Sequence, residues 1–161
     1  MIDENLNHEL RSFIKDTERH QSLMVELVTK DLINNISKHL ELIQILTGSI
    51  KFFSLLTKFI DRAGLTEPQF YSRACISTAV FSNMRRDDYT PSKASVLKSI
   101  IGLKLNYTDA SALLEKAGYT FVWSDTKDLT IVFCIMNEVY NPIEVDELLT
   151  SIGENTLFSQ L

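Results

Sequence analysis

The residues best suited to chemistry in this chain are polar and basic side chains between positions 73 and 98. In the major groove of double-stranded DNA, Asn83 can address adenine, Arg85 can address guanine, and Thr78 can reach bases or phosphates. Further lysine and arginine side chains in this region can approach phosphate oxygens. The candidate DNA-binding residues are Ser77, Thr78, Ala79, Ser82, Asn83, Arg85 and Arg86, with Arg73, Lys93 and Lys98 at phosphates.

Two short helices must position these side chains. Thr66 and Gln69 have the spacing of a capping box, which predicts a helix beginning there. Ser77 is well suited to cap a second helix, and Ile76 would fill the turn between the two as an apolar plug. The other side chains expected to face inward are Phe70, Ala74, Val80, Phe81 and Met84, with Tyr71 and Cys75 as further candidates. This pattern predicts a helix-turn-helix.

A family resemblance runs through the same region. Its most distinctive residues follow one another as Gly64-Leu65-Thr66, Tyr71-Ser72-Arg73-Ala74, Ile76, Phe81-Ser82, Arg85, Tyr89, Pro91-Ser92-Lys93, Leu113-Leu114 and Lys116-Ala117-Gly118-Tyr119. On these residues, positions 52–121 resemble a Xre/Cro-type helix-turn-helix domain of a bacterial subfamily often found beside macro-domain-like modules. The resemblance implies an all-α fold and binding to double-stranded DNA. Thr78, Ala79 and Asn83 stand where that subfamily tends to have basic or amide side chains, so the expected DNA-facing surface is smaller and more neutral.

The rest of the chain reads as helices on either side of this domain. We expect an all-α protein with an N-terminal helical arm at residues 1–49, the helix-turn-helix domain as five short helices at 50–123, and a two-helix extension packed on it at 124–161. The arm is either one long helix or a helical hairpin, with breaks favoured at residues 15–22 and at Asn34-Asn35 and a stop at Gly48. Its apolar stripe either folds back on the central domain or pairs with a second copy, and we expect a homodimer.

Local signals define the later helices. Ser92 and Thr108 are predicted to cap the last two central helices, and Asn141 with Pro142 predicts the start of the final one. Residues 129–139 are apolar on nearly every side, which predicts a buried helix. Acidic residues of the final helix are expected to form its outer face, either as solvated surface or as a patch for a basic partner. These residues are Glu144, Asp146, Glu147 and Glu154.

Charge is distributed unevenly along the 161 residues, whose net charge is −5. Residues 1–49 carry five bases and eight acids, residues 50–123 carry ten bases and six acids, and residues 124–161 carry one base and seven acids. Only the middle is basic, which is typical of a nucleic-acid-binding module between acidic arms. Asp87 and Asp88, directly after Arg85 and Arg86, reduce the positive electrostatic potential there.

Catalytic, metal-binding and membrane signatures are missing from the sequence. His8, His20 and His39 lack metal-ligand spacing, and no zinc, nucleophile or phosphate-loop motif is present, so we expect neither an enzyme nor a cofactor. Cys75 and Cys134 fall in apolar helical patterns and are expected to be reduced core thiols. No apolar run approaches the roughly 18 residues of a membrane span, and the acidic N-terminus is unlike a signal peptide, so we expect a cytoplasmic protein.

Two functions remain open from the sequence. The first is a dimeric DNA-binding transcriptional regulator. The second is a protein-interaction module on the same scaffold, such as a phage or mobile-element inhibitor of a host defence (anti-CRISPR-like) or an adaptor of a nucleoprotein complex.

Overall fold

The chain folds as an all-α protein. The structure is a computed structural model that describes residues 2–34, 40, 41, 43, 44 and 47–159, and within these it contains no β-strand. The helices that can be delimited there are α1 (Glu4–Lys15), α2 (Thr17–Asn34), α3 (Phe52–Arg62), α4 (Glu67–Arg73), α5 (Thr78–Met84), α6 (Lys93–Gly102), α7 (Tyr107–Lys116), α8 (Thr126–Met136) and α9 (Pro142–Ser151). None of them is both long enough and apolar enough to cross a membrane.

Side-chain caps explain where several helices begin. The Thr66–Gln69 capping box is present at α4, and Ser77, Ser92 and Asn141 accept backbone amides at the starts of α5, α6 and α9, as predicted. The predicted cap at Thr108 is wrong. The N-cap of α7 is Asn106, whose Oδ1 accepts the Asp109 amide at 2.9 Å.

Helix α7 is the centre of the fold. It contacts α2, α3, α6 and α8, and its Leu113 and Leu114 are fully buried. Ile100 and Ile101 of α6 and Ile131 of α8 are also fully buried in the same core. Burying side chains of this size is the main favourable term in folding, at about 1.5–3 kcal/mol each.

The N-terminal helices belong to this packed unit. A break at Asp16 separates α1 from α2, within the polar gap where it was expected. Helix α1 contacts α8 and α9 and buries Leu10 completely, while α2 contacts α7. The predicted break at Asn34-Asn35 lies outside the described residues, because Asn35 is not among them.

The two C-terminal helices are present as predicted, but the environment of one carboxylate is not as predicted. Helix α8 is buried on almost every side, as expected. Asp146 of α9 is not on an outer acidic face, because it is only 6% exposed and accepts the backbone amides of Leu157, Phe158 and Ser159 at 2.7, 3.0 and 2.8 Å. The predicted acidic face is wrong at this position, since the carboxylate secures the residues that follow the helix.

The two cysteines have different environments. Cys134 is buried in α8, as predicted, and burial raises the pKa of its thiol to about 12. Cys75 is exposed, so its expected place in the core is wrong. Its φ of 51° puts it in the left-handed conformation that ends α4, and the side chain consequently leaves the helical stripe.

Candidate nucleic-acid interface

A tight turn joins α4 to α5 and fixes their relative direction. The Ile76 amide donates to the Tyr71 carbonyl at 2.9 Å and the Cys75 amide donates to the Ser72 carbonyl at 3.2 Å, which closes the end of α4. Ala74 is fully buried and Ile76 is 6% exposed, so the predicted apolar plug is confirmed. The turn is therefore anchored to the core and holds the start of α5 in a defined place.

Aromatic packing fixes the inner face of α5. The Phe81 ring lies 5.7 Å from the rings of Phe53 and Phe70 and 5.5 Å from that of Tyr71. Met84 is buried one turn later on the same face. Tilted ring pairs of this kind add specific contact energy to the burial itself. The orientation of α5 about its own axis follows from this cluster.

The opposite face of α5 meets solvent. Thr78, Ala79 and Ser82 are exposed, as their pattern predicted. The Ser77 hydroxyl accepts the Val80 amide at 3.2 Å, so its oxygen already serves as the cap. Asn83 is half-buried. The exposed surface of this helix is thus small and uncharged along its first turns.

Arg85 and Arg86 close α5 with basic side chains that have partners within the chain. Arg85 forms an ion pair with Glu67 and places its guanidinium 5.3 Å from the Phe81 ring centroid. Arg86 binds Asp88 through two hydrogen bonds, of 3.0 and 2.7 Å. This pairing raises the pKa of Arg86 and lowers the pKa of the Asp88 carboxyl.

The side chains predicted to approach phosphates have different environments. Arg73 is exposed at the last position of α4, and Lys98 is half-buried on α6. Lys93 pairs with Asp128, which is 3% exposed and also accepts the Val122 amide at 2.7 Å. Lys93 therefore neutralises a buried carboxylate, which is a structural task.

Lys51 is a further basic residue close to the end of α5, and the sequence pattern did not predict its position there. Its Nζ lies 2.5 Å from Oδ2 of Asp87, although the two are 36 positions apart. With Arg85–Glu67 and Arg86–Asp88, this gives three exposed ion pairs around the end of α5. The only signal in the sequence was the run of two arginines followed by two aspartates.

The histidines and other potential metal ligands do not form a cluster in the described part of the chain. It contains no cluster of three or more His, Cys, Asp or Glu residues that could hold a metal ion. His20 is buried, its Nε2 lies 2.7 Å from the Phe13 carbonyl oxygen, and its ring lies against Phe13 and Trp123. His8 is exposed on α1, and His39 lies outside the described residues.

Comparison with known proteins gives no relative on which to base a function. No protein-family model, no curated protein and no solved structure matches this chain. Function is therefore inferred from the residues and contacts described above.

Proposed function

We propose that this chain is a DNA-binding regulator of the helix-turn-helix type, similar to Xre/Cro domains, in which α5 enters the major groove. One observation carries the proposal. The face of α5 that bears Thr78, Ala79 and Ser82 is free to meet a ligand, while Phe81 and Met84 fix the other face in the core. A short helix held rigidly after a tight turn is what major-groove reading requires.

In this mechanism the side chains of α5, and the two arginines that follow it, contact different parts of the DNA. Thr78 and Ser82 reach base edges from the leading turns, and Arg85 and Arg86 approach guanines or phosphates from the far end. Both arginines must exchange a carboxylate partner for DNA. The exchange is feasible because Arg86 and Asp88 are 61% and 70% exposed, and exposed ion pairs contribute little net stability.

We further propose that the DNA-binding form is a homodimer. Large apolar side chains remain exposed on α2, with Val25 and Ile33 at 62% and 69%. A second copy of the same helix offers an apolar partner for them, and a twofold dimer would place two α5 helices in successive major grooves about 34 Å apart. We also propose that the protein acts in the cytoplasm.

Selection from a pool of random DNA duplexes tests the DNA-binding proposal. We expect enrichment of one sequence and fluorescence anisotropy that reports salt-dependent binding to it. Arg85→Ala with Arg86→Ala should weaken binding strongly, whereas Arg19→Ala, an exposed arginine on α2, should not. The proposal fails if no sequence is enriched and if the double variant binds duplexes as the unchanged protein does.

Analytical ultracentrifugation tests the dimer separately. Val25→Glu with Ile33→Glu should shift the protein to a monomer, because two carboxylates on each chain would be desolvated at the interface. Ile143→Glu on α9 is the matched control, since Ile143 is 68% exposed on another helix. An unchanged protein that sediments as a monomer at high concentration contradicts the dimer.

The three ion pairs at the end of α5 favour a second candidate function, a protein-interaction module. Because Lys51, Arg85 and Arg86 already have carboxylate partners, the surface is nearly neutral and suits a protein partner better than a polyanion. A phage or mobile-element inhibitor of a host defence, anti-CRISPR-like in action, or an adaptor of a nucleoprotein complex would fit this description. Affinity purification with nuclease treatment distinguishes it, because a partner bound through α5 would survive loss of DNA and disappear in Thr78→Glu with Ser82→Glu.

A further inference from the structure

A small cleft opens beside the end of α5. It lies between the first residues of α3, the loop after α5 and the end of α7, and has a volume of about 280 Å³. Buried Phe52, Met84 and Pro91 contribute to its lining. Its walls are therefore fixed by the same core that orients α5.

Three cationic side chains from three separate parts of the chain line this cleft. Lys51 precedes α3, Arg86 follows α5, and Lys116 is the last residue of α7. The described lining residues include a single carboxylate, Asp87. With Asp88, which binds Arg86, the site has three positive and two negative side chains. The remaining positive charge in a small concave site favours an anionic ligand.

A ligand must displace the oxygen atoms that these cations now contact. Arg86 and Asp88 are 61% and 70% exposed, so their pair contributes little net stability although it has two hydrogen bonds. Lys51 and Asp87 are 65% and 73% exposed, so water and salt screen their pair. Lys116 Nζ lies 3.4 Å from the Gly48 carbonyl oxygen, which is a long hydrogen bond. A ligand with several anionic oxygens on one centre can engage all three side chains, whereas each present partner engages only one of them.

We propose that this cleft binds a phosphate group, with Lys51, Arg86 and Lys116 as its donors. Once it releases Asp88, the guanidinium of Arg86 can hold two phosphate oxygens side by side, and the two ammonium groups supply compact charge. The phosphate belongs either to a nucleic-acid backbone or to a free nucleotide. The backbone source rests on the proposed DNA-binding function, because Met84 and Arg86 put the cleft directly beside α5.

Titration followed by two-dimensional amide NMR tests the site without DNA. Inorganic phosphate and adenosine 5′-monophosphate are the probes, and we expect saturable shifts concentrated at residues 51–53, 86–91 and 116–117. Lys51→Gln and Lys116→Gln should each raise the dissociation constant by about three- to tenfold, as expected for one charge-assisted hydrogen bond in an exposed site. Lys58→Gln is the matched control, because Lys58 is an exposed lysine of α3 that pairs with Glu41.

Duplex titrations at several salt concentrations identify the source of the phosphate. If the backbone supplies it, each of the two variants should lower the slope of log K against log salt by about 1, and Lys58→Gln should not. If a nucleotide supplies it, the two variants should weaken the binding of the nucleotide and leave the binding of duplex DNA unchanged. Dispersed amide spectra of all variants exclude unfolding as the cause.

The phosphate site and the DNA-binding proposal fail in different ways. The site is overturned if neither probe gives saturable shifts in the cleft and if both variants bind duplex as Lys58→Gln does. The DNA-binding proposal is overturned, and the site retained, if the cleft binds nucleotide in a protein that binds no duplex. Shifts that are equal in all three variants also overturn the site, because a general surface charge would explain them.

Discussion

Asp31 of α2 accepts two hydrogen bonds from Thr108 in the first turn of α7. Its Oδ2 lies 2.9 Å from the Thr108 amide nitrogen and 2.7 Å from the Thr108 hydroxyl oxygen. The first amides of a helix have no partner inside that helix, and here a residue 77 positions away supplies one. The N-terminal helical block therefore completes the central helix of the core.

Replacing Asp31 should destabilise the whole protein. Asp31→Ala leaves the Thr108 amide without its acceptor, and we expect the free energy of unfolding to fall by about 1–3 kcal/mol. Urea denaturation followed by circular dichroism measures this change. Glu26→Ala, at an exposed position on the same helix, should alter the midpoint little, and an equal effect of the two variants would contradict the importance of the cap.

A close approach between Gly102 and Ala74 fixes the turn before α5 against α6. A Cβ atom on Gly102 would lie 3.0 Å from Ala74 Cβ and 3.1 Å from Ala74 Cα. Gly102→Ala should therefore cost about 1–3 kcal/mol through overpacking, offset only in part by the roughly 1 kcal/mol that alanine gains over glycine in a helix. Thermal unfolding of this variant and of Gly102→Ala with Ala74→Gly tests the contact, because the second change should restore part of the loss.

The buried carboxylate of Asp146 secures the chain after α9. Asp146→Ala removes the acceptor of three amides, and we expect a loss of about 2–3 kcal/mol together with fast hydrogen exchange at residues 157–159. Asp146→Asn keeps one oxygen and places an amide group where the other oxygen was. If the amide nitrogen of Asn takes the place of Oδ2, the Ser159 amide loses its acceptor and its protection from hydrogen exchange. The Leu157 amide, which donates to Oδ1, should stay protected. Unchanged exchange at all three amides in Asp146→Ala would refute the contact.

The two thiols should react at very different rates. In the folded protein at pH 8 we expect an alkylating reagent to modify Cys75 alone, because Cys134 is buried and its pKa is raised to about 12. Mass spectrometry should detect one modification under native conditions and two in denaturant, with Cys75→Ser removing the native one. Rapid native modification of Cys134 would be inconsistent with its burial.

The same shift at Cys134 predicts a loss of stability in alkaline solution. The folded-state pKa lies above the ordinary value of 9.0, so the unfolded chain releases this proton first as the pH rises. The contribution of the protonated Cys134 thiol to the free energy of unfolding is complete below pH 9. This contribution is lost progressively as the pH rises toward 12. Cys134→Ala should make the free energy of unfolding less dependent on pH in this range.

Local chemistry predicted much of the helical pattern from the sequence. Thr66 with Gln69, and Ser77, each satisfy amides within three positions, so their spacing alone carries the information. The apolar plug at Ile76 follows from the same short-range logic. Side chains that act within one turn of a helix can be read before any tertiary contact is known.

The errors at Asp146 and Cys75, and the unforeseen partner of Lys93, have causes that apolar periodicity does not carry. Asp146 is buried because amides 11–13 positions later turn back onto it, and periodicity alone put it on the surface. Lys93 pairs with Asp128 across 35 positions, so its charge does not face solvent freely. Cys75 kept the spacing of an apolar stripe, but its left-handed backbone turned the thiol outward.

The packing around Trp123 gives the protein a spectroscopic property. Trp123 is the only tryptophan in the chain, and its ring lies 5.4 Å from that of His20 on α2 and 6.2 Å from that of Tyr107 on α7. Undocking of α2 would expose the indole to water and shift its fluorescence emission to longer wavelength. Intrinsic fluorescence thus offers a direct optical readout of whether the N-terminal helices stay on the core while the protein binds a ligand.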